Sequence, residues 1–81
     1  MIAIVHGEVA SASVDSLVVM VGGVGLQVSV PAPLAAASKT GSRVFLHTHL
    51  VVREDALTLY GFETDAERDF FLLLLGANGV G

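Results

Sequence analysis

The chain contains no cysteine, so disulfide staples and thiolate-bound zinc are excluded and a reducing cytoplasm is the expected setting. Long apolar runs are also missing. The longest, Phe70 to Leu75, falls far short of the roughly 20 residues that span a bilayer. No basic region precedes an apolar stretch at the start, as an export signal would require, so a soluble cytoplasmic protein is expected. Positive charge is scarce: four Lys and Arg stand against eight Asp and Glu, for a net charge of −4. Lys39, Arg43, Arg53 and Arg68 are scattered rather than clustered. Taken alone, that balance argues against nucleic acid, because phosphate contacts draw on Lys and Arg to release counterions.

What is abundant is apolar character. Of the 81 residues, 53% are hydrophobic and only 15% charged. A chain of this size is at most one small domain and buries only about 60–65% of its unfolded surface. The surplus is therefore expected to meet another chain or a further segment.

The pattern along the chain is mostly that of strands. Met1 to Ser13 is rich in β-branched and small residues and reads as a strand bent at Gly7, where the alternation slips by one position. After a turn at Val14, Asp15 and Ser16 comes an apolar strand, Leu17 to Val21. Leu26, Val28 and Val30 then alternate with polar neighbours. The intervening Gly22-Gly23-Val24-Gly25 reads as a hairpin, since glycine reaches the positive φ that such turns demand. Pro31 and Pro33 close the third strand, and Pro33-Leu34-Ala35-Ala36-Ala37 suits a single helical turn. Lys39 to Ser42 is a polar turn. Arg43 to Val52 is a long strand with Val44, Leu46, Thr48 and Leu50 on one face and Phe45, His47, His49 and Val51 on the other. Leu57 to Phe62 returns beside it across Arg53-Glu54-Asp55-Ala56. Five short strands with a helical turn between the third and fourth predict a mainly β fold, a small Greek-key barrel of the OB type over residues 1–62. A five-stranded meander barrel is the close competitor.

From Thr64 the character changes. Thr64-Asp65-Ala66-Glu67 has the form of a capping box, with the Thr64 hydroxyl serving the Glu67 amide while Glu67 reaches back. One helix is expected from here to Leu75, before Gly76, opening a helical domain over residues 63–81 that the sequence leaves truncated. Phe70 to Leu75 puts apolar groups on every side of that helix, so it needs partners on more than one face.

Candidate chemistry is thin. Glu54 and Asp55 are adjacent on a tight turn and point apart, which disfavours acid–base catalysis on one substrate atom; a solvated hairpin tip is the plainer reading. His47 and His49 lie two apart on a strand and face the same way, but no third ligand is evident, so no metal is expected. No Ser/His/Asp arrangement has useful spacing; Ser11, Ser13 and Ser16 read as turn and edge residues. The glycines at 22, 23 and 25 fit neither a Walker loop nor a dinucleotide fingerprint, so no nucleotide cofactor is expected. Phe45, Tyr60, Phe62, Phe70 and Phe71 could stack bases, yet only Arg43 and Arg53 could accompany them, so packing is favoured. Gly76-Ala77-Asn78-Gly79-Val80-Gly81 is either a helix stop or a glycine-bracketed hairpin whose amides approach a phosphate.

The dodecamer from Val51 to Phe62, the glycine-rich segment from Val21 to Gly25 and the stretch from Gly76 to Gly81 together resemble, in order and spacing, the amino-terminal part of the Holliday-junction branch-migration family RuvA. The resemblance covers essentially the whole chain. It implies a non-catalytic DNA-binding subunit of a homotetramer that holds a four-way junction open during recombination and DNA repair. A RuvB-type partner, bound through a segment that this sequence does not contain, would hydrolyse ATP. Glu54 and Asp55 match the acidic pin at the junction centre. Gly79, Val80 and Gly81 match the hairpin of the first helix-hairpin-helix motif, which holds phosphates through main-chain amides without reading bases. One carboxylate about 7 Å from one phosphate in water repels by only roughly 0.6 kcal/mol, before screening. Gathered by symmetry around one axis, such charges would steer strands outward while other parts grip them, which reconciles the acidic balance with DNA. The competing expectation is a stand-alone oligonucleotide-binding or protein-interaction barrel.

Overall fold

The computed structural model describes residues 1–77. Five strands form a closed barrel: β1 (Ile4–Ala12), β2 (Ser16–Val21), β3 (Val24–Ser29), β4 (Arg43–Arg53) and β5 (Ala56–Phe62). Helix α1 (Ala32–Ala37) lies between β3 and β4 in sequence, and α2 (Asp65–Ala77) follows β5. Around the barrel the strands run β1-β2-β3-β5-β4. A meander would set β3 beside β4. Here β3 meets β5 instead, in parallel, through Ser29 opposite Tyr60. The chain passes through α1 and back along β4 before β5, which gives the long connection a parallel pair needs, since only antiparallel neighbours can be joined by a tight turn. The architecture is therefore the OB-like barrel, not its competitor.

Strand β1 serves both halves of the barrel. Its residues from Ile4 to Glu8 pair with β4, and those from Glu8 to Ala12 pair with β2. The register slip lies between Val9 and Ser11, not at Gly7 as the sequence pattern suggested. Burial alternates without interruption through Val5, Gly7 and Val9, all inward. Gly7 has another task. A Cβ there would fall on the main-chain carbonyl of Met20, so glycine lets β2 approach where β1 changes partners.

The core is small and aliphatic. Val5, Val9, Leu17, Val19, Val28 and Leu46 are essentially inaccessible, and Val30, Ala35 and Leu59 complete the cluster. The inward row of β4 runs through Val44, Leu46, Thr48 and Leu50, as its alternation predicts. Thr48 is the buried polar exception. Its hydroxyl donates to the Ile2 carbonyl at 2.9 Å and its amide to the Ala3 carbonyl at 2.8 Å, tying the amino terminus to β4. Ala35 on α1 joins the core and Leu34 packs against it. This helix begins at Ala32, one residue ahead of the expected Pro33, with Pro33 in its first turn where no amide partner is needed.

At α2 the capping box forms as the sequence predicts. The Glu67 amide donates to Thr64 Oγ1 at 3.2 Å and the Thr64 amide donates back to Glu67 Oε1 at 3.2 Å. The helix does not end at Leu75 but passes through Gly76 to Ala77. Glycine weakens a helix by about 1 kcal/mol relative to alanine without prohibiting it.

Candidate functional site

The β4–β5 hairpin carries the most exposed charge in the barrel. Its arms pair from His47 with Phe62 to Arg53 with Ala56, leaving Glu54 and Asp55 as the two turn residues. Strand β4 loses its other neighbour early, because its last partner on β1 is Ile4 opposite His47. On the far side, β3 is laddered to β5 only at Tyr60. Toward the tip those two strands diverge, and a cleft lined by Gln27, Ser29, Leu57, Thr58 and Leu59 opens between them. The end of the hairpin is thus a two-stranded ribbon. From Leu50 to Glu54 it reaches roughly 14 Å, at about 3.4 Å per residue.

At its apex Glu54 and Asp55 are both exposed, and neither takes part in an ion pair or side-chain hydrogen bond among the described residues. The one ion pair there is the local Arg68–Asp69 contact at 3.2 Å on α2. No group of three His, Cys, Asp or Glu able to hold a metal exists among the described residues. The arrangement can repel an anion.

The two faces of the ribbon differ. Arg53, with Ala56 opposite, lies on one. On the other, Val52 stands opposite Leu57, with 62% and 70% of their surfaces accessible. This pair continues the core rows beyond the barrel, past Leu50 on β4 and Leu59 on β5. Sequence alternation alone does not separate these two residues from the core rows they continue. Counting pairs outward from the two-residue turn was the signal that could have set them apart.

The outer barrel face gathers the other residues singled out in the sequence. His47 and His49 do share a face, and both are half-buried. Phe45 lies between the rings of His6 and His47, each 5.4 Å away centroid to centroid. Phe71 of α2 meets Tyr60 at 4.7 Å and Phe62 at 5.1 Å, so three of the five aromatics fasten the helix to the barrel. Phe45 and Phe70 remain exposed. Beside this contact an apolar groove of about 430 Å³, lined by Pro31, Phe62, Ala66, Glu67, Phe70, Phe71 and Leu74, holds one charged group and no reactive pair. The remaining sequence candidates, Gly79, Val80 and Gly81, lie outside the described residues.

No helix among the described residues is long and apolar enough to cross a membrane. Comparison with known proteins finds a match to the RuvA N terminal domain family over residues 1–61. Among similar proteins named "Holliday junction branch migration complex subunit RuvA", that of Chloroflexus aggregans is 50% identical over 82 residues, covering 100% of this chain and 42% of its own length. Those of Acidothermus cellulolyticus and Streptomyces avermitilis are 49% and 51% identical over 81 residues, with 100% of this chain and 41% and 40% of their own lengths covered. The chain thus spans about two fifths of the length of these relatives.

Proposed function

The chain belongs to the RuvA family, and from that premise we propose that it forms the assembly and junction-shaping part of a Holliday-junction-binding subunit. The observation that carries this reading is the bare carboxylate pair at the apex of a projecting ribbon, Glu54 and Asp55, with no cation bound to either. A pair so placed repels the phosphates of strands that part around it. It acts only where other contacts hold the DNA, because like charge alone supplies no affinity. Phosphate holding falls to Gly79, Val80 and Gly81 and to the continuing chain of the longer protein.

Four copies around one axis bring the ribbons to the junction centre, and the exposed apolar barrel surface supports such self-association. The subunit itself is non-catalytic and works in the cytoplasm. A RuvB-type ATP-driven motor, engaged through a segment outside this chain, supplies the force for branch migration in recombination and repair.

The test is a mobility-shift titration of the longer protein on four-way and linear duplex DNA at matched salt. Preference for the junction is expected. Replacing Glu54→Gln and Asp55→Asn is expected to keep or tighten junction binding while altering migration. Equal affinity for both DNAs would leave the stand-alone barrel as the better reading.

A further inference from the structure

The acidic apex accounts for phosphate repulsion but leaves without a role the apolar pair that follows Arg53 and Ala56 down the ribbon. Val52 and Leu57 are directly opposed across the ribbon and are 62% and 70% accessible, although they lie in line with the core rows. Resting on the junction reading above, we propose that Val52 and Leu57 form an apolar wedge that receives the face of a nucleobase where strands part at the crossover. Three features select that occupant.

First, the carboxylates two positions along the ribbon disfavour a phosphate on this surface, and Arg53, in the intervening pair with Ala56, lies on the opposite face. A base presents a flat uncharged surface and meets neither obstacle. Second, direct packing of two copies through Val52 and Leu57 would press two acidic apices together with no cation between them, whereas copies grouped around an axis with DNA strands between the ribbons keep those apices apart. Third, aliphatic side chains are suited to this contact, since protein wedges of Leu, Ile or Met press against base steps that have lost part of their stacking. A base at an open crossover is in that position. The apex turns the backbone aside and the pair behind it covers the base face thereby exposed.

The experiment uses the longer protein and an immobile four-way junction carrying the fluorescent adenine analogue aminopurine either at the crossover or midway along an arm. Wild-type protein is expected to change emission at the crossover and not in the arm. Val52→Ser with Leu57→Ser is expected to abolish the crossover response and weaken junction binding by roughly fivefold, leaving linear-duplex binding unchanged. Val52→Ile with Leu57→Met is expected to retain both properties. Both positions are solvent-exposed, so circular dichroism of the serine variant should match wild type. An unchanged crossover response in the serine variant overturns the wedge. So does a smaller assembly in sedimentation, which would make the pair a subunit contact. Failure of the junction reading itself is seen separately, as wild-type protein that does not prefer four-way over linear DNA.

Discussion

Replacing Gly61→Ala tests whether barrel closure is as tight as the geometry requires. Gly61 is buried on β5 opposite Thr48, against the fully enclosed side chains of Val28 and Leu46. A methyl group built there stands 2.6 Å from Val28 Cγ1 and 3.2 Å from Leu46 Cδ1. Comfortable carbon pairs sit at about 3.5–4.0 Å, so one partner must move by about an ångström. Val28 is β-branched and has few rotamers to offer. Its strand is the one that closes the barrel against β5, so the strain falls on the closure itself. Overpacking of this kind costs about 1–3 kcal/mol, while alanine returns roughly 0.4–1 kcal/mol by restricting the unfolded chain. A net loss of about 1–2 kcal/mol lowers Tm by roughly 5–15 °C in a domain of this size. Thermal unfolding followed by circular dichroism reads it directly. Gly23→Ala is the matched control, because a Cβ there meets nothing within 4 Å and its φ is not positive. That variant should hold or raise Tm. An unchanged Tm for Gly61→Ala, or an equal drop for both, would refute the packing argument.

Gly7→Ala is expected to be more severe, since its methyl would meet the Met20 main chain rather than a movable side chain; a loss of about 3 kcal/mol or more should appear as little folded protein in circular dichroism. Thr64→Ala removes the reciprocal cap of α2 and should destabilise by about 1 kcal/mol in urea unfolding, with faster amide exchange confined to the first turn of the helix. Unchanged exchange there would mean that the Phe71 contacts alone hold the helix start.

Much of the fold was legible in the sequence because its signals are local. The alternation of Arg43 to Val52 separates Leu46 and Thr48 from Phe45 and His47 whatever lies beside the strand, as side chains alternate on any extended chain. The capping box needs only Thr64 and Glu67 at the right spacing. The adjacency of Glu54 and Asp55 on a tight turn is likewise a local fact, and it was enough to expect exposure. The bend in β1 is not legible from Gly7, because what requires glycine there, the Met20 carbonyl, lies on another strand.

The amino-acid order by itself determined the five strands, the turn that bears two carboxylates, the capped helix and the family to which the chain belongs. Tertiary structure alone decided the parallel meeting of β3 with β5, the slip between Val9 and Ser11, and the end of the covered core. That last decision leaves Leu59 inside and Leu57 outside on one alternating row. The physical reason is that alternation fixes which face a side chain takes, whereas burial depends on what the closed barrel brings opposite that face.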